Sequence, residues 1–310
     1  MTKFALVFPG QGSQSVGMMQ PYADLRVVGE VFAEAAEALK QDLWKLVAEG
    51  PAEELSSTVN TQPVMLTAGY AVYRAWRDAG GPEPAVVAGH SLGEYTALVA
   101  AGALSFRDAL PLVRFRAQAM QEAVPEGEGA MAAILGLEDD AVRQACREAA
   151  QGQVVEAVNF NAPSQVVIAG HKAAVERGVA AAKAAGARRA MMLPVSAPFH
   201  SSLLKPAADR LAGRLEAIKV SAPRIPVVNN VDVAAEGEPM RIKAALARQA
   251  CNPVRWVEVV QKMAAEGVVH VAECGPGKIL TGMTKRIDSR LQGHAIADAQ
   301  MLLQVMAAVK

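Results

Sequence analysis

The chain has 310 residues, 52% of them hydrophobic, which is enough for a sizeable core and for one large domain or a large domain carrying a smaller one. Lys and Arg together number 31, and so do Asp and Glu, so the formal net charge is zero. Without a basic run, that balance argues against nucleic acid or a membrane surface as the main ligand and favours a small substrate, leaving room for a local patch that recruits an acidic protein. The three cysteines, Cys146, Cys251 and Cys274, lie far apart with no C-x-x-C pair, so neither a disulfide framework nor a zinc site is indicated. The apolar run Phe4 to Phe8 is too short for a signal h-region, and no stretch has the length of a bilayer span. A reducing cytoplasm is the expected location.

In chain order, Lys3 to Phe8 reads as a buried strand, followed by the turn Pro9-Gly10-Gln11-Gly12-Ser13-Gln14 and a helix from about Asp24 to Leu39. Pro63 suits the first position of a helix, and Val64 to Asp78 carries helical periodicity until Gly80-Gly81 stops it. The run Ala85 to Ala88 is the next strand and leads into a helix-like segment, Leu92 to Leu104. Strands alternating with helices imply a parallel sheet. Between about Glu126 and Ser196 the texture changes. Strand Ala130 to Leu135, helix Glu138 to Ala150, strands Val154 to Asn159 and Gln165 to Ala169, helix Lys172 to Ala185 and strand Arg188 to Pro194 follow in turn. This βαββαβ order is the ferredoxin-like pattern, complete in about seventy residues. The expected organisation is therefore a large α/β domain formed by residues 1–125 and 197–310, with residues 126–196 as an inserted small domain. Beyond the insertion come a helix Ser201 to Ala217, a strand Pro226 to Val231, helices Ile242 to Ala250 and Pro253 to Ala265, and a strand Val268 to Glu273, with His294 in a polar tail.

Gly89-His90-Ser91-Leu92-Gly93 falls where the Ala85 strand gives way to a helix. That context suits a nucleophile elbow, in which a serine on a tight strand-to-helix turn has its hydroxyl lifted clear of the sheet while flanking glycines let backbones pass closely. A glycine-punctuated turn with an ordinary capping serine is the alternative. Gly10 and Gly12 match the first two glycines of a dinucleotide fingerprint, but Ser15 stands at the third and no acidic residue closes a second strand. The better use of that turn is its amides: Gln11, brought beside the elbow by adjacent strands, would pair with Leu92 to hold a carbonyl oxygen. A turn that merely reverses the chain is equally compatible with the local pattern.

A serine nucleophile needs a base. His90 adjoins the serine but points elsewhere in an elbow, His171 begins a helix of the insertion, and His270 lies inside a strand. His200, at the loop-to-helix junction Ser196-Ala197-Pro198-Phe199-His200-Ser201, is the best candidate, since a helix N-terminus disfavours imidazolium and keeps the base neutral. No acidic third member is apparent: Asp108 caps a helix after Ser105, Asp139 and Asp140 open another, and Asp209 falls within a later one. The pattern suggests a Ser-His dyad oriented by a backbone group. Arg116 shares a helical stripe with Ala109, Leu112, Val113 and Met120, which turns its guanidinium toward the core, where it needs an anionic partner. The substrate can supply that anion; an internal ion pair or a stem reaching the helix edge would serve as well.

With these motifs assembled, the chain resembles the malonyl-CoA:acyl carrier protein transacylases of dissociated fatty-acid synthesis nearly end to end. The resemblance rests on Phe8 to Gln14, Thr61-Gln62-Pro63, Gly89 to Glu94, the Arg116 helix, Gly129 to Ala133, Val158 to Pro163, Pro198 to Ser201, Asn252-Pro253-Val254 and Glu273 to Gly277. It implies Ser91 as acyl-accepting nucleophile, His200 as its base, Arg116 as the clamp on the malonyl carboxylate, Gln249 as the residue whose carbonyl orients the histidine, and Gln11 and Leu92 as oxyanion-hole amides. Gln62, Phe199 and Asn161 are implied as substrate contacts. The implied fold is an α/β-hydrolase-like large domain with a ferredoxin-like insertion, and the implied partners are malonyl-CoA and acyl carrier protein, with no metal or tightly held cofactor and a monomeric chain. Lys205, Lys285 and Arg286 are the candidate basic contacts for an acidic carrier. A discrete acyltransferase of polyketide synthesis is the alternative within the same chemistry. An α/β-hydrolase-type thioesterase shares the elbow but usually places an acid between serine and histidine, and a non-catalytic binding module would have no need for Ser91, His200 and Arg116 together.

Overall fold

The structure, a computed structural model, describes residues 2–195 and 197–310; Ser196, the expected last residue of the insertion, lies outside them. The chain begins with β1 (Phe4–Phe8), then α1 (Arg26–Leu39), α2 (Leu43–Glu49), α3 (Ala52–Ser56) and the long α4 (Thr58–Asp78), before returning to the sheet in β2 (Val86–Gly89). Helices α5 (Gly93–Ala100) and α6 (Phe106–Glu122) follow. Next comes β3 (Gly129–Leu135), α7 (Asp139–Ala150), β4 (Val155–Ala162), β5 (Gln165–His171), α8 (Lys172–Ala184) and β6 (Arg189–Met192). The last part holds α9 (Lys205–Glu216), β7 (Val227–Val228), α10 (Pro239–Gln249), α11 (Trp256–Ala265), β8 (His270–Cys274), α12 (Ile279–Ile287), β9 (Gln292–Ile296) and α13 (Ala299–Ala308).

Five strands form a parallel sheet in the order β7-β2-β1-β8-β9. Every residue of β1 is buried, as helices on both faces of a parallel sheet require. Its side chains alternate between two cores. Phe4, Leu6 and Phe8 pack into the core shared with α4 and α6, while Ala5 and Val7 face the core of Trp256, Val259 and Met263 on α11. The order β3-α7-β4-β5-α8-β6 builds a second, antiparallel sheet, β4-β5-β3-β6. One face carries Ala132, Ile134, Val166 and Ile168 against α7 and α8; from the other, Met131, Val158, Val167 and Ala169 join the larger core. Asn159 of β4 also bridges to Val254, tying the second sheet to the turn before α11.

Four expectations need correction. Pro63 is the sixth residue of α4, not its first: the helix starts at Thr58, and the missing proline N–H falls within its second turn. The strand expected over Pro226 to Val231 shrinks to Val227–Val228, because Asn229 and Asn230 turn away to make side-chain hydrogen bonds. Pro253 does not open a helix; α11 starts at Trp256, after Val254 has paired with Val158 and Phe160 of β4. His294 belongs to no polar tail. It sits in the edge strand β9, with its Nε2 2.9 Å from His270 Nδ1. Half-exposed residues and a glycine in Gln292–Ile296 hide that strand from a search for apolar runs.

Candidate active site

β1 and β2 lie side by side, with Phe8 opposite Gly89, so the turns that follow them emerge together at the C-terminal ends of the strands. Ser91 adopts φ +51°, in the left-handed region that an L-residue occupies at a cost of about 1–3 kcal/mol. The glycines on either side are sterically required. A methyl group on Gly89 would fall 1.9 Å from the Gly93 carbonyl carbon, and one on Gly93 would fall 2.1 Å from Phe8 O. Gly10 passes equally close: a methyl there would lie 2.5 Å from His90 O and 3.7 Å from the Leu92 nitrogen. The Gln11 turn is thereby pressed against the start of α5. Gln11 and Leu92 line the same cavity, and among the described residues neither backbone amide donates a hydrogen bond.

Asn230, at the end of the β7 segment, holds the elbow from below. Its Oδ1 accepts from the Ser91 amide at 2.7 Å, and its Nδ2 donates to Gly89 O at 2.7 Å. One amide side chain thus satisfies a donor and an acceptor that the sharp turn strips from the sheet ladder. The sequence reading missed this residue; a polar Asn229-Asn230 pair closing an apolar strand was the available signal.

Ser91 Oγ lies 2.7 Å from His200 Nε2, and His200 Nδ1 lies 2.8 Å from Gln249 O. A carbonyl can only accept, so Nδ1 carries the proton and Nε2 presents a lone pair to the serine hydroxyl. Burial and then the Arg116 charge push the imidazole down to about 3, against an ordinary value of 6.5. The ring is therefore a neutral base throughout the physiological range. His90, as expected, points elsewhere: its Nε2 meets Asn161 Oδ1 at 2.8 Å, and its ring lies against Trp256.

Arg116 is 1% exposed, as its place on the apolar stripe predicts. Its NH1 donates to Gln62 Oε1 at 2.8 Å, and its NH2 donates to Gln249 Oε1 at 2.9 Å and to Ser91 Oγ at 3.2 Å. The guanidinium also sits 5.4 Å from the Tyr95 ring centre. Among the described residues no carboxylate pairs directly with it, and its Nε has no partner. Of the three ways to satisfy this arginine, an internal ion pair and a stem at the helix edge are both absent among the described residues. What is left is a buried cation with open donors aimed beside a serine hydroxyl, which suits a small carboxylate.

These groups open onto a cavity of about 540 Å³ bounded by the turns after β1 and β2, by α3, α4 and α6, and by the second sheet. Gln62, Met120 and Phe199 border it from the larger layer, and Met131, Asn159 and Leu193 from the smaller one. Asn161 does not line it: two residues further along β4, its side-chain oxygen is committed to His90. The three basic carrier candidates stand away from this lining. Lys205 pairs with Asp209, and Arg286 donates to Gln165 Oε1 at 2.7 Å.

Such a site can open an ester or thioester by attack of serine, with a neutral histidine moving the proton and a guanidinium holding a remote carboxylate. The chain belongs to the acyl transferase domain family, whose profile matches residues 5–294. It is 60% identical over 297 residues, 96% of each chain, to the malonyl CoA-acyl carrier protein transacylase of Escherichia coli strain K12. The crystal structure of acyl-carrier-protein S-malonyltransferase from Burkholderia pseudomallei 1710b matches with a TM-score of 0.98 at 65% identity, covering 99% of this chain and 100% of that one. A malonyl-transacylase solved in complex with a type II PKS acyl-carrier protein matches with a TM-score of 0.98 at 52% identity, again covering 99% and 100%.

Proposed function

We propose that this chain transfers the malonyl group of malonyl-CoA to the phosphopantetheine thiol of acyl carrier protein, by a ping-pong route through a malonyl ester on Ser91. The observation that carries the reading is the convergence of Ser91 Oγ, His200 Nε2 and the Arg116 guanidinium in one cavity. His200 takes the serine proton as Oγ attacks the thioester carbonyl carbon, and the Gln11 and Leu92 amides receive the oxyanion. When the carbon–sulfur bond breaks, the proton returns to the departing CoA thiolate. The carrier thiol then gives its proton to His200 and attacks the ester carbon; as the carbon–oxygen bond breaks, His200 returns that proton to Ser91 Oγ and the free serine is restored. Gln249 orients the histidine through its carbonyl, Arg116 holds the free carboxylate, and Gln62 and Phe199 border the acyl group. Both thioesters already activate the acyl carbon, so the scheme calls on no cofactor.

Architecturally, we read residues 1–125 and 197–310 as an α/β-hydrolase-like domain and residues 126–196 as a ferredoxin-like insertion. The βαββαβ chain order and the strand order β4-β5-β3-β6 support the second name. The chain is taken to act as a cytoplasmic monomer in fatty-acid synthesis; no helix among the described residues is long and apolar enough to cross a membrane. The relative solved with a type II PKS carrier favours one second reading, the same transfer serving a polyketide pathway.

The test follows labelled malonyl from CoA in the presence of holo carrier protein. Malonyl carrier protein is the expected product. Free malonate as the main product would convert the reading to a thioesterase, and retention of intact malonyl-CoA would leave a binding module.

A further inference from the structure

Beneath the serine turn lies a carboxylate to which the transfer chemistry gives no role. Glu94, on the first turn of α5, is 2% exposed. Its Oε2 accepts from the Asn230 amide at 2.8 Å and from Gln249 Nε2 at 2.9 Å. The other end of that glutamine, Oε1, accepts from Arg116 at 2.9 Å. A single side-chain amide therefore bridges a buried guanidinium to a buried carboxylate, with its oxygen toward the cation and its NH₂ toward the anion. Flipping the amide would set donor against donor at Arg116. It would also set acceptor against acceptor at Glu94 and at Ser91 O, which shares Nε2 at 2.9 Å. The bridge has one workable direction.

A buried guanidinium without an opposite charge is costly, and among the described residues Arg116 touches none directly. Glu94 supplies that charge one amide away. We propose that Glu94 is a specificity-determining residue: it is the resident counter-charge of Arg116, and it takes up a proton from solvent when the carboxylate of a malonyl-type acyl group seats on that guanidinium. This rests on the reading of Arg116 as the carboxylate clamp. Two carboxylates sharing one cation in a buried site cannot both stay ionised cheaply. Glu94 is the one placed to yield, because burial already pushes its carboxyl up to about 7 even against the hydrogen bonds from Asn230 and Gln249.

The charged and titratable groups around Glu94 are Arg116 on α6, Tyr95 beside it on α5, His200 across Gln249, and Asp232 and Glu236 after β7. A cavity of about 10 Å³, lined by Glu94, Asn229 and Glu236 together with four apolar side chains, lies between Glu94 and the partly exposed Glu236. Asn229 Nδ2, buried and without a partner, belongs to the same lining residue set.

The experiment measures kcat/KM for malonyl-CoA and for acetyl-CoA across pH and takes their ratio. Groups common to both substrates, His200 and the CoA phosphates among them, cancel. In the wild-type enzyme the ratio should fall about tenfold between about pH 7 and about pH 8.5, as free Glu94 ionises and its protonation must accompany malonyl binding. In Glu94→Gln, which keeps an acceptor oxygen but no charge, the ratio should be flat and, at about pH 8.5, higher than in the wild type. A flat wild-type ratio overturns the proposal without reference to any variant, and so does a fall that survives in Glu94→Gln. Arg116→Ala separates the two layers of the argument. If that change lowers malonyl and acetyl transfer alike, the clamp reading fails; if it is selective for malonyl while the wild-type ratio is flat, only the role of Glu94 fails.

Discussion

His200→Ala should lose about 10²- to 10⁴-fold in malonyl transfer at neutral pH, the usual worth of a positioned general base. The fold should survive. The His200 ring bonds to Gln249 O and to Ser91 Oγ, and neither contact belongs to a sheet ladder. Circular dichroism and a melting curve check that part, and steady-state transfer kinetics check the loss. A wild-type rate would remove His200 from the mechanism. The variant should regain some acylation at high pH, where hydroxide partly substitutes for the base. The wild-type enzyme, with its imidazole held at about 3, should show no acid limb near the ordinary 6.5. Linkage has a definite sign here. The folded-state value is depressed, so between about 6.5 and about 3 the unfolded chain binds a proton that the native one refuses, and His200 makes the protein less stable as pH falls through that window.

Arg116→Ala should lower kcat/KM for malonyl-CoA by roughly two to three orders of magnitude, since removing one partner of a buried ion pair costs about 3–5 kcal/mol. Acetyl transfer should fall far less or rise, because acetyl-CoA has no carboxylate to seat on the guanidinium. Arg116→Lys should not restore the wild-type ratio: an ammonium cannot reproduce the planar fork that meets Gln62, Gln249 and the serine from one group. Equal depression of malonyl and acetyl transfer in a folded variant would make the arginine structural.

Much of this site was legible in the sequence because its chemistry is written locally. The elbow announces itself by Gly89 and Gly93 around Ser91, and those glycines are where the backbones touch. Arg116 stood out because a guanidinium on an apolar stripe contradicts the helix period, and its burial follows from that period. Gln249 came through family resemblance alone, since nothing local marks a glutamine whose partners are 49 and 158 residues away. Glu94 and Asn230 escaped for the same reason: the hydrogen bonds joining Asn230 to the elbow and to Glu94 span 136 to 141 residues, and the pairing of β2 with β7 brings them together. The elements of the second sheet were readable from alternation and chain order, whereas β9 was not, because an edge strand needs only one buried neighbour and can spend its other positions on polar residues and glycine. Asn161 shows the limit of reading by motif. It lies in a run that reaches the site, but two residues beyond Asn159 on β4 its side-chain oxygen is taken by His90, and Asn159 lines the cavity in its place.

The most direct test of the account is intact-mass analysis with peptide mapping after the protein is mixed with malonyl-CoA and no carrier. The account predicts one malonyl group, located on Ser91, absent in Ser91→Ala and discharged when holo carrier protein is added. An adduct on Cys251 or Cys274, or full acylation persisting in Ser91→Ala, would contradict it.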